Sequence, residues 1–297
     1  MWSIDMKKTL KNKINLKSII FFFVFVLFLV YALSLIYPLL WMTLNSFKSK
    51  AEYNADQFSF PQEYFVELTP FQNYIEAWTK IKVGGDIGVV GMFMNSIWYA
   101  AGSATVIVFF CSMTAYIIAK YTFKGRNFLY GMALAMMMIP IVGALPATYK
   151  LYNNLHLVDS PLFLITYSGG FGGYFMILYA SYKGISWNYA EAAMIDGANG
   201  YVVYFKIMMP QAVSALFTLW LLQFIAQWND YTTPLLYLSN MPNLATGLMR
   251  FEKATAYKPN WPVYYAGLVI LVLPILIIFS VFSERIMTSV STGGLKG

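Results

Sequence analysis

The residues best suited to chemistry or recognition gather in one short run, Ser186 to Pro210, which reads S-W-N-Y-A-E-A-A-M-I-D-G-A-N-G-Y-V-V-Y-F-K-I-M-M-P. Its polar members suit recognition better than catalysis. Asn188 with Glu191 three positions later has the form of a capping box, in which each side chain satisfies the other's open backbone amide. Ala190, Ala192 and Ala193 keep one flank slim, so that another protein can approach the backbone. Gly197 follows Asp196 where a helix stops, because glycine takes the left-handed closing conformation at little cost. A second short segment then runs through Phe205 and Ile207 to Pro210. Two short helices with a turn between them are more design than a plain connector needs, and the residues predict a docking surface.

The other chemistry-bearing residues do not combine. His156 is the only histidine and Cys111 the only cysteine, so neither a thiolate metal site nor a disulfide framework can form. No HExxH motif occurs, and no GxxxxGK[ST] phosphate loop; Gly293-Gly294-Leu295-Lys296-Gly297 has neither the spacing nor a following helix. A sugar site favours aromatic faces and neutral hydrogen-bonding groups. Tyr167, Phe171 and Tyr174 offer the former, and Gln223, Gln227 and Asn229 the latter. Between the aromatics lies Ser168-Gly169-Gly170-Phe171-Gly172-Gly173. Its glycines each weaken a helix by about 1 kcal/mol relative to alanine. Two structures suit that run: a tight helix contact through Gly169 and Gly173, or unwound backbone beside a cavity that includes Gly170.

These residues sit in or between long apolar runs. Apolar residues make up 59% of the chain and charged ones 11%, against about 25% charged in soluble domains. Six runs are long enough to span a hydrocarbon core of about 30 Å: Ile19–Leu44, Ile87–Ala119, Phe128–Ala147, Leu162–Tyr182, Ala212–Asn229 and Val263–Phe282. None contains Asp, Glu, Lys or Arg. Pro140, Pro146 and Pro274 are kink candidates. The expected architecture is an all-α polytopic membrane bundle: a segment 1–17, then one transmembrane domain 18–297 with the loop 186–210 and a tail 285–297.

Five lysines, from Lys7 to Lys17, precede the first run and orient it with the N-terminus inside. Six crossings then put 12 basic and 4 acidic residues inside, and 8 basic and 9 acidic outside. The net charge of +7 therefore reflects topology and not nucleic-acid binding, and both termini are expected in the cytoplasm. The segments 46–86 and 231–261, both outside, are too long for plain connectors. An ion-coupled secondary transporter usually keeps ionisable residues inside the membrane, and these runs have none. That class, with sodium held by carbonyls alone, and a passive channel remain the alternatives.

Taken together, several motifs resemble the permease subunits of binding-protein-dependent ABC importers, in their carbohydrate (MalG-like) branch. They are Glu191-Ala192-Ala193, Asp196-Gly197-Ala198, Phe205, Ile207 and Pro210, with Asn95-Ser96, Lys124-Gly125-Arg126-Asn127 and Met138-Ile139-Pro140 before them. Trp228-Asn229-Asp230-Tyr231, Pro234-Leu235 and the tail Thr292 to Gly297 follow. The likeness covers about residues 15–297; one departure is Ser214, where these permeases often have a second proline. It implies the type I permease fold and an ATPase-coupling role for Glu191, Ala192, Ala193, Asp196, Gly197 and Ala198. It also implies a second permease, two ATPase subunits that bind the ATP and magnesium, and an extracytoplasmic solute-binding protein. This chain would bind no cofactor, catalyse nothing and sit in the cell membrane, passing carbohydrate along a path that includes Tyr167, Gly170, Phe171, Gln227 and Asn229.

Overall fold

The computed structural model describes residues 16–67, 69–83, 87–139, 143–257 and 259–294, with side chains from 19 to 283. Lys7 to Lys13, Pro140 and residues 295–297 of the tail lie outside the described residues. Among the described residues, the chain is helical apart from turns, loops and one isolated bridge between Val83 and Ile87. The principal helices are α1 (Leu16–Asn45), α2 (Val89–Lys120), α3 (Arg126–Met138), α4 (Leu145–Asn154), α5 (Gly173–Gly184) and α6 (Asn188–Ile195). They are followed by α7 (Val213–Asn229), α8 (Thr232–Tyr237), α9 (Leu244–Ala254) and α10 (Trp261–Gly294).

The expected spans fall into two kinds. The first and sixth lie within α1 and α10, and the second lies within α2 apart from Ile87 and Gly88; among the described residues these are the 3 helices long and apolar enough to cross a membrane. The fifth coincides with α7, which begins at Val213, so Ser214 in place of proline does not delay the helix. An arm, Gly200–Gln211, precedes it at a bend of 77°, and arm plus helix make a fourth candidate crossing. The third and fourth runs are not continuous helices. Phe128–Ala147 divides between α3 and α4. Leu162–Tyr182 divides into a 3₁₀ segment, Pro161–Tyr167, a non-helical stretch at 168–172, and α5. Hydropathy alone cannot reveal such breaks, because the side chains stay apolar on both sides of them.

By contacts the chain divides into two compact units, residues 1–74 with 260–269, and residues 75–259 with 270–297. In the first, α1 exposes apolar side chains over most of its length, as a helix meant for lipid does. Beyond it the segment 46–74 is folded. Ser49 caps the helix Lys50–Ala55 by accepting from the Glu52 amide, and the Asn73 amide donates to the Ser46 and Lys48 carbonyls at 2.8 and 2.6 Å. The Lys48 ammonium is fully buried and donates to the Asp56 carbonyl at 2.8 Å. Burial lowers its pKa below the usual lysine value, opposed by the charges of Asp56 and Glu52.

In the second unit α2 is the post on which the rest is hung. Its buried residues recur every three to five positions: Met92, Ser96, Tyr99, Ser103, Val108, Cys111, Ala115 and Ile118. With Ala100, Ala104 and Ser112 also buried, small side chains fill much of this stripe. Without water to drive apolar burial, close backbone approach supplies the packing, and α5 and α7 pack most extensively against it.

Candidate coupling loop and translocation path

Helix α6 begins one residue earlier than a capping box would require. Trp187 is the cap position, Asn188 is already in the first turn, and the Ser186 hydroxyl accepts the Asn188 amide at 3.3 Å. The Asn188–Glu191 box is therefore not formed; the spacing was right, but the helix entry had moved past it. Glu191 instead stands exposed in the first turn, where a carboxylate is favoured by the helix dipole.

The other end of α6 closes as expected. Gly197 has φ +86°, its amide donates to the Met194 carbonyl at 3.0 Å, and the Ala198 amide reaches back to Ala193 at 2.9 Å. This pair of reversed bonds is a Schellman closure. Two of the alanines serve the protein's own core: Ala190 is fully buried and Ala193 packs against the same cluster. Only Ala192 is exposed, beside Glu191, Asp196 and an 86% exposed Ile195. Asn199, overlooked in the sequence, caps the next segment by accepting the Val202 amide at 2.9 Å. An Asn directly before Gly-Tyr-Val-Val was the signal. Residues Val203–Met208 then wind as a π-helix, burying Val203, Tyr204 and Met208.

The candidate path residues separate into two groups. Tyr167 and Phe171, with Tyr174, Gln223, Thr166 and the Gly169 backbone, line a cavity of about 450 Å³, within the range of small-molecule sites. No Asp, Glu, Lys or Arg borders it. The glycine run supplies its wall by unwinding, with Gly172 at φ +144°. Gly169 and Gly173 make no close helix contact; an added Cβ would meet nothing within 4 Å at either. Gly170 is the one that packs, against Thr114 and the Phe110 carbonyl of α2.

Gln227 and Asn229 do not border the cavity. Asn229 is exposed and donates to its own helix at Ile225, 2.9 Å away. Gln227 is buried in a polar node that no sequence pattern discloses. The Tyr99 hydroxyl lies 2.5 Å from that of Tyr167, 2.8 Å from Asp230 Oδ2 and 3.2 Å from Gln227 Oε1. Asp230 Oδ1 meanwhile accepts the Thr232 and Thr233 amides at 2.9 and 3.1 Å, capping α8. His156 takes φ 55° in the turn after α4, and no cluster of metal-ligating side chains occurs among the described residues.

Residues 111–291 match the family of binding-protein-dependent transport system inner membrane components, and the chain belongs to that family. It is a multi-pass membrane component of a transport system and not an enzyme. It is 28% identical over 263 residues to the diacetylchitobiose uptake system permease protein of Streptomyces coelicolor, covering 87% of this chain and 83% of that one. With the arabinooligosaccharides transport system permease protein of Halalkalibacterium halodurans it shares 32% identity over 209 residues, 69% of this chain and 74% of the relative. Among solved structures, that of a bacterial ABC transporter involved in the import of the acidic polysaccharide alginate superposes with a TM-score of 0.74. It is 23% identical, covering 90% of this chain and 96% of that one, and establishes the ABC importer permease fold.

Proposed function

We propose that this chain is one of two membrane-spanning subunits of an ATP-driven importer of oligosaccharides. Its relatives are named for diacetylchitobiose, arabinooligosaccharides and starch degradation products, and the uncharged aromatic cavity at Tyr167, Phe171 and Tyr174 suits such ligands. The observation that carries the reading is the loop 186–210. It is capped at both helices and anchored through Ala190 and Tyr204, yet it presents Glu191, Ala192 and Asp196 outward.

In this reading the chain crosses the membrane six times with both termini in the cytoplasm, and the third and fourth crossings are broken helices. Residues 1–17 and the tail 285–297 flank the permease domain on the inner face. A second permease completes the path, a solute-binding protein delivers sugar outside, and two ATPases dock on the 186–210 loops. ATP and magnesium bind on those ATPases, and this chain holds no cofactor. Closure of the ATPases draws α6 with it, and their differential binding shifts the bundle between inward-open and outward-open populations.

The energy source tests this. In liposomes containing the complete complex and its binding protein, ATP inside the cytoplasmic-face compartment should drive uptake, and ionophores that collapse proton and sodium gradients should leave the rate unchanged. Uptake that needs no ATP and stops with the ionophore would replace the assignment with a carbonyl-lined secondary transporter.

A further inference from the structure

Beneath the loop lies a second buried polar group. The Ser112 hydroxyl, in the middle of α2, is 2.7 Å from the Tyr182 hydroxyl of α5 and 2.8 Å from that of Tyr204 in the π-helix. Ser112 and Tyr182 are fully buried and Tyr204 nearly so. Among the described residues, this is the side-chain hydrogen bond that joins 186–211 to α2. Just before the loop, the Lys120 ammonium also donates to the Ile185 carbonyl.

The local winding puts Tyr204 there. A π-turn takes an extra residue into the coil, and here it turns Tyr204 inward while Phe205 stacks beside Phe109 with ring centroids 6.2 Å apart. The Tyr204 ring lies 4.9 Å from Tyr116, and Tyr116 lies 5.5 Å from Tyr182. Phenylalanine would fill that aromatic space as well as tyrosine. The hydroxyls add a directional link, and a serine oxygen can accept from both neighbours or donate to one of them. Such a link can re-pair without separating charge.

We propose that Ser112 is a positioning residue for transport. Its hydroxyl ties the coupling segment to α2 and α5, so that movement of the loop reaches the cavity at Tyr174 and Gln223. This rests on the coupling role proposed for 186–210.

The test follows the cavity and not the unidentified sugar. In the full complex with its ATPases, a single cysteine is placed by Gln223→Cys in a Cys111→Ala background. Its reaction rate with a water-soluble methanethiosulfonate is measured with and without ATP plus vanadate. With Ser112 intact, trapping should change the rate at least ten-fold. With Ser112→Ala the change should fall below two-fold while the ATPases still co-purify, and Ser112→Thr, which restores a hydroxyl, should recover it. A normal response in Ser112→Ala, or a Thr variant as defective as Ala, overturns the proposal. Gly197→Leu distinguishes the parent reading. If cavity reactivity responds to trapping normally in that variant, or does not respond in the parent protein, the loop is not the joint.

Discussion

Helix α2 carries two buried polar nodes, about 20 Å apart at its helical rise of about 1.5 Å per residue, and they are built on opposite principles. At Tyr99 a carboxylate sets the geometry. Asp230 holds the Tyr99 hydroxyl with one oxygen and two α8 amides with the other, so one charged acceptor joins α2 to the end of α7 and the start of α8. At Ser112 three neutral hydroxyls meet with no charge among them. The first arrangement has one good pairing and resists change. The second has alternatives of similar energy. The coupling proposed above uses both: a node that holds the path together and a node whose hydroxyls can re-pair as the loop moves while keeping it tied to α2.

Removing the charged acceptor should have the largest effect. Asp230→Ala leaves three donors without their partner, and hydrogen bonds to a charged group contribute about 1.5–3 kcal/mol each. Thermal unfolding of the detergent-purified complex should show a loss of at least about 3 kcal/mol, with little protein accumulating in membranes. Ser112→Ala should melt within a few degrees of the parent. Equal losses at the two sites would erase the distinction between them.

An intermediate effect is expected beside the Ser112 node, where the unwound stretch rests on α2. Gly170→Val drives a side chain onto Thr114, and overpacking of this kind costs about 1–3 kcal/mol. Thr114→Ala in the same chain should recover part of the loss, and a double-mutant melting cycle measures how much. Strict additivity would mean that the two residues do not share the contact.

The smallest effect belongs to the loop entrance. Asn188→Ala should change stability by no more than about 0.5 kcal/mol, because the residue caps nothing. Ser186→Ala should cost about 0.5–1 kcal/mol, read from the same melts. The reverse order would restore the capping box that the geometry rejects.

What the sequence disclosed was local. The left-handed closure at Gly197 was legible because a backbone with positive φ announces itself through glycine, and α1, α2 and α10 were legible as uninterrupted apolar runs. The break in the third run was marked only by Pro140 and Pro146 as kink candidates, since the hydropathy does not change there. The glycine run admitted both helix contact and unwinding, and the positive φ of Gly172, with open space at Gly169 and Gly173, decided for unwinding. Tyr99 and Asp230, 131 positions apart, meet only through tertiary packing, as do Ser112 and Tyr204. The loop 186–210 was thus readable as a motif, whereas what anchors it was not.

The unwound stretch at 168–172 bears on how the protein is made. Helix α1 satisfies its own backbone and offers apolar side chains all round, so it can leave the translocon and rest in lipid alone. Residues 168–172 cannot, because bare carbonyls and amides in hydrocarbon cost several kcal/mol each. They need the α2 wall of Phe110 and Thr114 beside them. That wall is encoded about fifty residues upstream and is translated first. In the six-crossing reading proposed above, biogenesis delivers the host helix before its guest, and a broken span that would be refused by the bilayer enters one already furnished with a partner.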